Sequence, residues 1–174
     1  MPFEDLNGTL YIENDLWETD FSGMFGSTDF DLSGTGMNLL SFLLKKEEML
    51  VASAALHSDY LDLQEILDQF PEKGNASKPV IDFPERLDLK LEFSILNFAR
   101  DLLKAKNVKG IAIYEAPFFY VDSLVMETMG GKLTGSFGMV QDNQDYIFTS
   151  VEASLLSLDI RQLFEAFENF GQKQ

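Results

Sequence analysis

His57, Ser58 and Asp59 stand side by side in "LHSDYLD", and these are the residue types from which a nucleophilic triad is built. His57 is the chain's single histidine, so an imidazole base would have to be this one. Adjacency argues against that chemistry. Successive side chains of a strand point to opposite faces, so a base beside its nucleophile in sequence is aimed away from it. No "GxSxG" elbow occurs either. The expectation is no catalytic residue, with His57 a surface or satisfied edge histidine.

Carboxylates offer a second chemistry. Asp29 and Asp31 share a strand face, and Asp142 and Asp145 fall in a turn; either pair could hold calcium. Neither completes a "DxDxDG" loop with its distal glutamate, so turn chemistry and solvation are expected and no metal site is assigned. A glycosidase needs two carboxylates across a cleft, which a sequence does not display. "NAS", Asn75 to Ser77, is formally a glycosylation sequon and is read as loop. Trp17 and the tyrosines could stack on sugar, though such residues are more often core or edge aromatics. Without cysteine there is no thiolate nucleophile, disulfide or thiolate metal site, and no cofactor is expected.

The elements that would position these residues are mostly strands. In "LDLKLEF", Leu87, Leu89, Leu91 and Phe93 alternate with Asp88, Lys90 and Glu92, the pattern of a half-buried antiparallel strand. "GTLYIE", "WETDFSGMFG", "GIAIYE", "FYVDSLVME", "KLTGSFGMV" and "YIFTSVEASLLSL" read alike, with turns at Asn14 and Asp15, Glu115 to Pro117, and Gln141 to Asp145. Helical spacing follows Asp62 (Leu63, Ile66, Leu67, Phe70) and Asp159 (Ile160, Leu163, Phe164, Phe167, with a Gly171 stop), each aspartate available as an N-cap. A short helix is expected over Asn38 to Leu44. Propensity slightly favours helix for Asn97 to Asn107. The proline-bearing segment from Phe70 to Glu85 marks a boundary or long connection.

Paired features recur in the same order. Leu6 to Tyr11, "LSGTG" from Leu32, and the strand and helix from Val51 are echoed by Val108 to Tyr114, "LTGSFG" from Leu133, and the strand and helix from Phe148, at offsets of 102, 101 and 97 residues. Near-constant offsets imply two degenerate copies of one β-rich unit. These are residues 1–72 and 87–174, joined by a connection over 73–86 and forming one continuous domain. Gly34, Gly36, Gly135 and Gly138 sit where a long sheet would curve. The curvature either closes a core or opens an apolar trough.

Composition excludes some partners. Acidic residues number 29 against 13 basic, a formal charge of −16, so neither nucleic acid nor an anionic membrane surface is expected to bind through charge. Hydrophobic residues make up 45%, enough for a folded chain, and no apolar run reaches the length of a membrane-spanning helix.

"GGKLTGSFGMV" (Gly130 to Val140), "LDIRQLFEAFENFGQ" (Leu158 to Gln172) and the preceding "AKNVKGIAIYEAPFFYVDSLVMETMGG" resemble the C-terminal region of AsmA-like proteins of the bacterial envelope, especially their Bacteroidetes forms. "NGTLYIENDLWETDFSGMFGSTDFDLSGTGMNLLSFLL" resembles the unit before it, so the similarity runs from about Leu6 to Gln172. The resemblance implies a mostly β, α+β fold: a curved antiparallel sheet of repeated units with an apolar groove. It implies an envelope-biogenesis module that binds or conducts phospholipid for outer-membrane assembly and is not an enzyme. The expected setting is the periplasmic part of a parent protein anchored in the inner membrane. Its partners would be phospholipid, the parent's other repeats and other envelope proteins, and this chain would be an excised, soluble fragment. The resemblance also turns Asn97 to Asn107 from helix to hairpin. It carries no catalytic motif, so only the alternation proposes a lining: Leu89, Leu91, Phe93, Leu133, Phe137 and Met139. The alternative is a solute- or carbohydrate-binding, or purely structural, β-domain.

Overall fold

A computed structural model describes residues 3–45, 48–68, 85–141 and 147–166. The strands are β1 (Phe3–Glu13), β2 (Leu16–Phe25), β3 (Thr28–Met37), β4 (Leu50–Asp62), β5 (Leu87–Arg100), β6 (Leu103–Glu115), β7 (Phe118–Thr128), β8 (Gly131–Gln141) and β9 (Ile147–Leu156). Three short helices accompany them: α1 (Leu39–Leu44) after β3, α2 (Leu63–Asp68) after β4 and α3 (Ile160–Ala166) after β9. All nine strands form one open, curved sheet in chain order. The mostly β architecture expected from the alternating pattern is therefore the architecture found.

Neighbouring strands are antiparallel at every step but one. β4 and β5 run parallel, from Leu50 opposite Leu87 to Asp62 opposite Ala99. Parallel neighbours need a crossover rather than a hairpin, and the long proline-bearing connection falls between these two strands. Its residues 69–84, with the sequon, lie outside the described residues, as do the turn at 142–146, with Asp142 and Asp145, and everything from 167 on. Asn97 to Lys106 is a hairpin, Asn97 opposite Lys106 and Arg100 opposite Leu103. Strand pairing on both sides thus overrides the local helix propensity of that stretch.

Both expected aspartate caps form. Asp62 Oδ1 accepts hydrogen bonds from the backbone N–H of Gln64 (3.0 Å) and Glu65 (3.2 Å). Asp159 Oδ1 accepts from Arg161 N–H at 2.8 Å and Gln162 N–H at 3.4 Å. Each capped helix is also tied to a hairpin turn. Glu65 in α2 accepts from the backbone N–H and hydroxyl of Ser27 at the β2–β3 turn, and Asp159 N–H donates to Met129 O at the β7–β8 turn, 2.8 Å away. α1 is held by Arg86, whose guanidinium lies 4.6 Å from the Phe42 ring centre and donates to the carbonyls of Lys45 and Glu48.

Extra residues within the strands add to the curvature, and one of them falls beside Gly135. Ile95 and Phe98, and likewise Val108 and Ala105, meet in one apolar cluster although the members of each pair are three positions apart. Strict alternation would send them to opposite faces. One extra residue per strand restores them to the same face: Leu96 in β5, opposite Asn107 in β6, which adopts φ 51°. In β7 a register shift between Val121 and Leu124 contains Ser123, with φ 54°. Adjacent bulges aligned across a sheet bend and twist it as a unit.

Candidate functional site

Cross-strand register shows which side chains share a face. One row runs the full width as Ile12, Trp17, Gly36, Ala52, Leu89, Tyr114, Phe119, Met139 and Thr149. The next runs Leu10, Thr19, Gly34, Ala54, Leu91, Ala112, Val121, Phe137 and Val151. Neither contains a charged residue. Phe93 continues a third row through Leu56, Leu32 and Phe21, and Leu133 lies opposite Met126 and Leu155. The six candidate residues Leu89, Leu91, Phe93, Leu133, Phe137 and Met139, drawn from two separate stretches, thus belong to one continuous apolar face.

This face is only partly closed. Among the described residues the buried hydrophobic side chains are Ala52, Leu61, Ile95, Ala105, Val108 and Tyr114. Leu61, Ile95, Ala105 and Val108 cluster where Leu63 and Ile66 of α2 pack on the sheet. The candidate six are all half-buried. Toward the edges the same face opens, with Leu10 49% and Val151 72% exposed. A sheet with one layer above it normally buries such a face; among the described residues α2 packs on its middle. Leu163 of α3 borders a smaller hollow of about 200 Å³ over Leu124, Met126, Leu133, Phe137 and Leu155.

Aromatic rings smooth this face. A Cβ at Gly36 would lie 2.5 Å from the Trp17 ring, and one at Gly110 2.7 Å from the Phe93 ring. Both glycines make room for an aromatic side chain from the neighbouring strand, the close approach that a strand glycine allows. Gly34 and Gly36, two residues apart, share the apolar face. Gly135 and Gly138, three apart in uninterrupted β8, do not. The echo between "LSGTG" and "LTGSFG" thus places Gly34 and Gly135, 101 residues apart, on the same apolar face, while Gly138 falls on the other.

The opposite, polar face carries the residues considered for catalysis and metal binding. His57 lies on it, opposite Asp31 and Ser94, while Ser58 points into the apolar side and is fully buried. Adjacency separates base from hydroxyl, as strand geometry requires. His57 Nε2 is 3.7 Å from Asp59 Oδ1 at an exposed site. Asp29 is engaged structurally: its carboxylate accepts from Asp59 N–H at 2.8 Å and Tyr60 N–H at 2.7 Å. Among the described residues, no cluster of acidic or histidine side chains could hold a metal ion. Burial, reinforced by the nearby Glu85 carboxylate, raises the Tyr114 hydroxyl above its ordinary pKa. Two polar atoms on the apolar side, Ser58 Oγ and Trp17 Nε1, are buried without a hydrogen-bond partner.

Two larger hollows open on the polar face. One, of about 710 Å³, is bordered by Asp20, Asp31, His57, Glu92 and Lys109. The other, about 870 Å³, follows a single cross-strand row: Tyr60, Asn97, Lys106, Glu127, Lys132 and Leu156. Sequence reasoning did not single out these lysines. The period-two spacing of Lys104 and Lys106 in "LKAKN" was the available signal, but their meeting with Lys132 depends on register.

No described helix is long and apolar enough to cross a membrane. A scan of protein-family models and searches of curated proteins and solved structures return no match for the chain.

Proposed function

We propose that the chain is a non-enzymatic, lipid-handling module that receives acyl chains along its apolar face, in keeping with its resemblance to the C-terminal region of AsmA-like envelope proteins. The supporting observation is the pair of uncharged rows that cross all nine strands, half-exposed at the candidate residues and uncovered toward both edges. An acyl chain laid along those rows leaves water at a gain of roughly 0.8 kcal/mol per buried methylene. Rows of similar apolar side chains supply many near-equivalent sites, so a chain can shift along them without meeting one deep trap. The edge strands β1 and β9 leave this face open to continuation by further strands. In this reading the chain is a periplasmic piece of an anchored parent protein, whose other repeats extend the surface for phospholipid movement in outer-membrane assembly.

Organic extraction and mass spectrometry of the purified protein, against a denatured control, test the proposal. Phospholipid recovered in a defined ratio is expected. Phe137→Asp, which places a charge in the second row one strand in from β9, is expected to abolish that recovery while the β-sheet circular dichroism signal is kept. Absence of lipid after incubation with liposomes would instead favour a scaffold or solute-binding role.

A further inference from the structure

The second of the polar-face hollows carries an inference of its own. β1 to β4 contain no lysine or arginine, whereas Lys104, Lys106, Lys109 and Lys132 all lie on the polar face of β6 and β8. Lys104, Lys106 and Lys132 border the hollow of about 870 Å³. Directly opposed side chains in neighbouring strands start about 5 Å apart, so Lys106 and Lys132, on either side of Glu127, can both reach a group placed above it. Three ammonium groups against one carboxylate leave the hollow locally positive on a chain of charge −16. Among the described residues, none of the three lies within 4 Å of a carboxylate oxygen; the ion pairs formed are Lys45–Glu48, His57–Asp59 and Lys90–Glu92. Among the described residues these three lysines thus form no ion pair, although Lys104 also borders a second hollow with Glu165, and the larger hollow's volume suits a small molecule. Tyr60 and Asn97, at the other end of the row, supply a ring and an amide oxygen to whatever the anion is attached to, the Asn97 Nδ2 being held by the Asp59 carbonyl at 2.9 Å.

We infer that this hollow binds a phosphate ester, with Lys104, Lys106 and Lys132 holding the phosphate and Asn97 and Tyr60 contacting a glycerol- or sugar-sized substituent. Lysine ammonium groups bind phosphate as point charges through charge-assisted hydrogen bonds. Glu127 competes for the same lysines and tunes the affinity downward. The site lies opposite the apolar face and does not rest on the acyl-chain reading. The ester is either a free soluble phosphate or the headgroup of a lipid presented by a membrane.

Two probes separate those sources: glycerol 3-phosphate, titrated by calorimetry, and flotation with phosphatidylglycerol or phosphatidylcholine vesicles. Glycerol 3-phosphate carries no acyl chain, so its result is independent of lipid extraction. Saturable binding is expected to weaken roughly tenfold in the Lys106→Gln, Lys132→Gln double variant, recover in the double arginine variant and strengthen in Glu127→Gln. Lys109→Gln, on the same face outside this hollow, is expected to leave it unchanged. That pattern with glycerol 3-phosphate identifies a soluble ester site; the same pattern only with phosphatidylglycerol vesicles identifies a headgroup site. Failure of both probes to bind, or an equal loss in Lys109→Gln, overturns the inference. Circular dichroism of each variant shows that the sheet is retained.

Discussion

β1 to β4, with α1 set between β3 and β4, lead into α2, and β6 to β9 lead into α3; both α2 and α3 are short helices capped by an aspartate and tied to a hairpin turn. Their surroundings differ. α2 sits in mid-sheet, where β5 runs beside β4 and Leu63 and Ile66 meet Leu61, Ile95, Ala105 and Val108. Neither helix contains a fully buried residue, but α3 follows β9, the last described strand, where Val151 and Leu155 stay more than half exposed. A helix with the same cap and spacing helps close a core when a strand lies on each side of its own. At an edge it leaves apolar surface open. Stability and binding surface are thus divided between the middle and the margins of one sheet.

The largest test of that division is truncation at its centre. Ile95→Ala is expected to cost about 2–5 kcal/mol, read as a lower urea midpoint. Val151→Ala, at the open edge, is expected to change stability by less than about 0.5 kcal/mol. Equal losses would mean that the edge is packed as tightly as the centre.

A smaller contrast separates two glycines that the sequence pairs. A Cβ at Gly36 meets the Trp17 ring and the backbone carbonyl of Val51, and Gly36→Ala is expected to cost about 1–3 kcal/mol from overpacking. At Gly138 the nearest atom is the rotatable Ser150 hydroxyl at 2.8 Å, so Gly138→Ala is expected to be nearly neutral. Thermal unfolding of the two variants decides this.

The caps sharpen the comparison further. Asp62→Ala is expected to lower global stability by about 1 kcal/mol, because α2 is part of the buried cluster. Asp159→Ala is expected to speed hydrogen exchange within α3 while leaving the global midpoint almost unmoved.

The smallest effect is alkaline. The Tyr114 hydroxyl has a raised pKa in the folded chain. Its stabilising contribution is whole below the ordinary tyrosine value of about 10 and is lost as pH rises through the raised value. Tyr114→Phe is therefore expected to lessen the fall in stability above about pH 10, as measured by urea unfolding across that range.

Much of this was legible because it is local. Alternation placed Leu89, Leu91 and Phe93 on one face and Leu133, Phe137 and Met139 on one face, and Asp62 and Asp159 announced the starts of α2 and α3. The hairpin at Asn97 to Lys106 followed the family resemblance, against propensity. The glycines were legible only as residue types: Gly135 lies beside the register shift in β7, Gly36 faces the Trp17 ring and the Val51 carbonyl, and which neighbour each one meets depends on the strand beside it.

The amino-acid sequence by itself determined which residues extend, where the short helices begin, and which side of each strand is apolar, since those follow from periods of two and 3.6 within a few residues. Only the tertiary structure decided that β4 and β5 pair in parallel, that extra residues in adjacent strands align, and that Lys106 and Lys132 border one hollow with Glu127 between them. Each of those depends on register between segments distant along the chain. Register is set by the summed packing of whole strands, a quantity no short stretch of sequence contains.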